Sequence, residues 1–144
     1  MGASLTTLWL RNPLRVTLVL TVLNFIVWNT VAIPIPIPVT LVKVSYDLAR
    51  IVLMVSAGWL VARRGSGLRD AALAGVAVLL VDHPVLRGGI FLVLHVLGHS
   101  SGENEYLMAF WGVMFSFVLF SPLAAAFGLC GGLLERRSRE PSPA

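Results

Sequence analysis

The sequence predicts an all-α, polytopic integral membrane protein: a four-helix transmembrane bundle with both termini cytoplasmic and its third helix kinked or broken near Pro84. Three observations predict it. Hydrophobic residues make up 57% of the 144 and charged residues only 12%, about half the charged share of a soluble domain. The apolar residues gather into four long runs, and a bilayer crossing needs roughly 20 such residues. Apart from Arg50 and Arg87, the arginines gather at the ends of those runs, at every second connection, as positive-inside topology requires.

A chain of this length allows one domain, here residues 1–134, followed by a polar, disordered cytoplasmic tail over 135–144 (ERRSREPSPA). The formal charge of +4 forms no basic face or stripe, so nucleic acid is excluded as a partner. Cys130 is the only cysteine. It cannot form an internal disulfide or a CxxC pair, and it reads as a small packing residue.

The first run covers residues 15–33 and follows Arg11 and Arg15. A cleavable signal peptide ending at Thr30-Val31-Ala32 is the alternative, but the run is long for one and carries Trp28-Asn29. A retained helix is therefore expected. Residues 33–38 (IPIPIP) cannot be helical, because three prolines remove three donors and each disfavours helix in the residue before it. They are expected to form a stiff, extended strap joining the first two helices, rather than a proline-recognition ligand.

The second run covers residues 44–62 and contains Asp47 and Arg50. A short cytoplasmic turn, Arg64-Gly65-Ser66-Gly67, leads into the third run at 68–97. As a continuous helix that run would measure about 45 Å, longer than a bilayer core of about 30 Å. Pro84 and Gly88-Gly89 interrupt it. A tilted helix kinked at Pro84 is the first expectation. A span ending near Arg87 with an interfacial helix after it comes second, and two short crossings third.

The loop 98–105 holds Glu103 and Glu105 and no lysine or arginine. The fourth run, 106–134, is uncharged and precedes Arg136, Arg137 and Arg139. Within it, Ala124, Gly128 and Gly132 stand four apart, a pattern that lets two membrane helices approach closely. Pro122 should bend this helix, with Ser121 helping to satisfy the backbone groups it frees.

The informative residues are the charges inside the apolar runs, since each costs about 2.5–3.5 kcal/mol at a helix centre. Counted from Ala62 and Asp70, Arg50 and Asp82 both lie twelve residues in, or about 18 Å deep. Asp47 and Arg87 lie at about 22 and 25 Å on the same rise. Helices two and three run antiparallel, so Arg50 can face Asp82 and Asp47 can face Arg87. Asn29 on the first helix falls at about 21 Å. A polar cluster of Asp47, Arg50, Asp82, His83, Arg87 and Asn29 is expected, linking three helices.

His95 and His99 share a helical face and are the one candidate metal pair, with Glu103 or Glu105 as a third ligand. HExxH is absent, as are a Ser/His/Asp signature, a phosphate loop and a dinucleotide motif. No cofactor is implied. The first functional expectation is a non-enzymatic membrane subunit or assembly factor working through lateral helix contacts, partnered by the lipid bilayer and by another protein or a second copy. The second is a small oligomeric transporter or channel using the charged cluster. A multi-pass cell-membrane location is expected, and a bacterial inner membrane suits the size and the basic-loop pattern.

Overall fold

A computed structural model describes residues 12–31, 38–98 and 104–139, which form four helices. They are α1 (Pro13–Val31), α2 (Val39–Arg63), α3 (Leu68–Val96) and α4 (Glu105–Arg139). Three of them, α2, α3 and α4, are long and apolar enough to cross a membrane. At 19 residues, α1 is the shortest; it spans about 28 Å.

The helix ends follow local chemistry. Pro38 sits in an extended conformation immediately before α2, and its carbonyl accepts the Leu41 and Val42 N–H groups. The other prolines of the expected strap lie outside the described residues. Gly65 takes a left-handed φ of 86° in the α2–α3 turn, a conformation that glycine adopts without strain. Asp70 then reaches back to accept the Gly67 N–H at 3.3 Å, placing a carboxylate at the positive end of α3. At the far end, Gly98 with φ 66° closes α3, its N–H bonded to the His95 carbonyl.

α3 is helical throughout, and its hydrogen bonding switches from α to π over Val81–Gly88. Pro84 lies inside that stretch. Proline has no N–H, and its ring would press on the carbonyl one α-turn back; a widened turn relieves both. In α4 the carbonyl that Pro122 leaves free is that of Val118, and Ser121 Oγ donates to it at 2.9 Å.

The packing leaves far more apolar surface outside than a soluble protein does. Large apolar side chains such as Leu48, Val52, Met108, Trp111, Phe115 and Val118 face outward. The interior combines Met54, Val78 and Leu79 with small residues (Ala57, Ala71, Ala74, Ala124), the threonines Thr17 and Thr21, and Asp82 and His83. Both threonines bond the carbonyl four residues back. Small interior residues with polar groups paired inside are what lipid-facing bundles use in place of a hydrophobic driving force.

Ala124, Gly128 and Gly132 point inward, against α2 and α3. A β-carbon on Gly58 or Gly75 would collide with the backbone at Gly128 and Ala124, and one on Gly131 with the Val55 carbonyl. α4 therefore lies backbone to backbone on both neighbours. α1 leans on α2 and α3, and among the described residues none of its α-carbons comes within 8 Å of one in α4.

Two expectations are corrected here. The tail does not begin at residue 135: α4 runs to Arg139, and Glu135 is buried. The cause is an i,i+4 pair, Arg139 Nε to Glu135 Oε1 at 2.7 Å, with Arg139 Nη2 also donating to the Arg63 carbonyl at 2.6 Å. Cys130 is exposed on the outer face of α4 rather than packed inside.

The same end of the bundle collects Asn12, Arg63, Arg64 and Arg139, with Arg64 Nη1 3.5 Å from Asn12 Oδ1. α1 and α3 start there, and α2 and α4 finish there.

Candidate functional site

Asp82 is the centre of the expected cluster and is 1% exposed. It sits in the first turn of the π-helical stretch of α3, a widened backbone of a kind often found at functional sites. Its two carboxylate oxygens have different partners. Oδ1 accepts a hydrogen bond from the Tyr46 hydroxyl on α2. Oδ2 lies 2.9 Å from His83 Nδ1, 3.6 Å from Arg50 Nη1 and 4.0 Å from Arg87 Nε.

The depth matching of Arg50 with Asp82 is thus realised. The matching of Asp47 with Arg87 is not. Asp47 pairs with Arg50 on its own helix at 3.1 Å and is half-exposed, whereas Arg87 turns to Asp82. The reason is azimuth: successive helical residues point about 100° apart. The α2 face toward α3 at this height belongs to Tyr46, so Asp47 looks away.

Tyr46 was not singled out from sequence. Its ring lies beneath both arginines, with guanidinium carbons 5.9 Å (Arg50) and 4.8 Å (Arg87) from its centroid. Each contact is of the cation–π type. A tyrosine four residues before Arg50 and at the depth of Arg87 is the signal that could have found it. Formally Asp47, Asp82, Arg50 and Arg87 sum to zero with His83 neutral. The nitrogens Arg50 Nε and Arg87 Nε are nevertheless buried without a hydrogen-bond partner.

Asn29 stays out of this ion network. Its Nδ2 donates to the Phe25 carbonyl at 2.7 Å. It meets Arg87 only across a cleft of about 320 Å³, also lined by Phe25, Ile90, Phe91 and Val113. A smaller cavity of about 110 Å³ lies on the other side, between Arg50 and the apolar residues Met54, Leu79, Phe120 and Phe127. His95 has a buried, unpartnered Nδ1. His99 and Glu103 lie outside the described residues. Among the described ones, no three His, Cys, Asp or Glu side chains come close enough to hold a metal.

Chemically, the cluster is a carboxylate with three positive or proton-bearing neighbours and one phenol, drawn from two helices and enclosed by apolar packing. It can hold charge away from water, and it can pass a proton between Asp82, His83 and Tyr46 over hydrogen-bond distances. The chain was compared with protein families, curated proteins and solved structures. It matches none of them. The functional reading therefore rests on this geometry alone.

Proposed function

We propose that the chain is a small membrane transporter or channel whose working site is the Asp82 cluster. All four helices cross the bilayer, α3 bends at Pro84, and both termini lie on the cytoplasmic side with the arginine-rich end. The observation that carries this reading is Asp82 itself: a fully enclosed carboxylate on a π-helical stretch, served by ionisable or phenolic groups from two helices. Intramembrane ionisable residues are rare, and they commonly mark substrate or ion paths. A non-helical or widened backbone inside a membrane needs neighbours that satisfy it, as in transporters with broken helices.

The alternative, a subunit or assembly factor working through lateral contacts, draws on the outer face of α4, where Met108, Trp111, Phe115 and Val118 stand exposed. Its other support from sequence, the small-residue stripe, is used inside the chain, since Gly128 packs on Ala71, Gly75 and Gly58. That shift is why transport takes first place.

The test is electrical recording on the purified protein in liposomes, with H⁺, Na⁺, K⁺ and Cl⁻ gradients applied in turn. A current in one gradient that falls about tenfold or more in Asp82→Asn is expected, the scale on which loss of one charged partner acts. No current above protein-free liposomes in any gradient would end the transport reading. Native mass spectrometry from the source membrane would then look for a defined heteromeric partner.

A further inference from the structure

The cleft beside Arg87 has a chemistry of its own. Its floor is Arg87, Ile90 and Phe91 of α3; its walls are Phe25 and Asn29 of α1 and Val113 of α4. No α-carbon of α1 comes within 8 Å of one of α4 among the described residues, so the two backbones stand apart and the cleft lies between them. Its volume of about 320 Å³ falls within the roughly 300–1,000 Å³ usual for small-molecule sites.

Charge decides what it accepts. Asp82 Oδ2 already serves His83 at 2.9 Å and Arg50 at 3.6 Å, while Arg87 Nε stands off at 4.0 Å with no hydrogen-bond partner. Arg87 has the longest ion-pair distance of the cluster's two arginines, and its side chain is 35% exposed. A guanidinium favours anions with several acceptor oxygens, phosphate above all. Asn29 uses one amide hydrogen on the Phe25 carbonyl and keeps a second for a ligand.

Position decides where the anion comes from. Arg87 lies seventeen residues from Asp70, at about 25 Å of a core about 30 Å thick. That is close to headgroup level on the side opposite the basic end. The remaining walls are aromatic and aliphatic, suited to acyl chain and glycerol rather than to a hydrated free ion.

We infer that this cleft binds the anionic headgroup of a membrane lipid, its phosphate against Arg87 and Asn29 and its chains leaving between α1 and α4. The assignment rests on the cleft and on the membrane crossing proposed above, not on transport, so a failed flux experiment leaves it standing.

The test is native mass spectrometry of the full chain in detergent, titrated with dioleoyl phosphatidylglycerol or dioleoyl phosphatidylcholine. One phosphatidylglycerol per chain is expected, held about tenfold or more tightly than phosphatidylcholine, as for one charge-assisted hydrogen bond. Arg87→Gln should bring the two lipids level. Val113→Trp leaves every charge in place and fills the cleft; it should also lose phosphatidylglycerol, with circular dichroism and elution volume unchanged. Equal affinity for the two lipids in the wild type would overturn the site. So would a Val113→Trp variant that holds phosphatidylglycerol as before. Inorganic phosphate that binds alone and displaces the lipid would place the anion's source in solution and overturn the lipid assignment.

Discussion

The Tyr46 hydroxyl on α2 donates to Asp82 Oδ1 on α3, joining two buried residues 36 positions apart. The bond divides the work of one carboxylate: Oδ1 belongs to the phenol, which leaves Oδ2 for His83, Arg50 and Arg87. The ring that carries the hydroxyl also lies beneath both guanidinium groups. Tyr46 therefore holds the cluster in two ways, by one directed bond and by a face of negative charge.

Removing the hydroxyl separates them. Tyr46→Phe keeps the ring and leaves Asp82 Oδ1 buried without its donor, at a cost of about 1–3 kcal/mol. Tyr46→Ala also removes the ring and should cost more. Reversible unfolding of the purified protein in mixed micelles would measure both. A Tyr46→Phe protein as stable as wild type would mean that the bond contributes nothing net.

Arg50 and Asp82 form a pair of known distance, 3.6 Å. A double-mutant cycle with Arg50→Gln and Asp82→Asn should give a coupling of about 0.5–3 kcal/mol. The same cycle on Asp47 and Arg87 should give a smaller coupling, because Asp47 turns to its own helix and reaches Arg87 only through Arg50 and Asp82. A larger coupling in the second cycle than in the first would reverse the assignment of partners.

Those two pairs also show how far the site was legible in the sequence. Depth in a helix follows from a fixed rise per residue, so Arg50 and Asp82 could be matched by counting. Azimuth depends on how each helix is rotated against its neighbours, and one chain's residues do not reveal that rotation. This is why Asp47 was matched with Arg87, and why Tyr46 passed as another aromatic in an apolar run. The same limit governs the fold. The four apolar runs, the turn at Gly65 and the serine that serves Val118 follow from local chemistry. The inward aim of the Ala124–Gly128–Gly132 stripe does not, since a small-residue stripe serves an internal neighbour and a second subunit equally well. Glu135 was read as tail because its partners, Arg139 and the end of α2, meet only once the bundle closes.

The glycines should sort by what their β-carbon would meet. Gly58→Ala and Gly131→Ala place a methyl against the backbone of a facing helix, so the helices must separate. Overpacking of this kind costs about 1–3 kcal/mol or more. Gly89→Ala and Gly112→Ala point into open space and should be neutral or gain up to about 1 kcal/mol from helix propensity. Thermal unfolding in detergent would rank the four, and a Gly58→Ala protein as stable as Gly112→Ala would mean that the close approach of α2 and α4 is not needed.

Arg139 closes the basic end of the bundle. It is half-exposed, so its pairing with Glu135 is partly screened by solvent. What raises its weight is Glu135, 4% exposed, and the Arg63 carbonyl at the end of α2, which has no further helical turn to bond it. Arg139→Ala should destabilise the protein by about 1 kcal/mol, the upper range for a partly exposed ion pair at a helix end. Arg137→Ala, two residues away and exposed, should change stability by less than about 0.5 kcal/mol. If Glu135 is the group that Arg139 serves, Glu135→Gln should recover most of the loss in the Arg139→Ala background, since a neutral amide needs no cation. Recovery absent in the double variant would transfer the effect of Arg139 to the Arg63 carbonyl, and α2 rather than α4 would then be the helix that this residue holds.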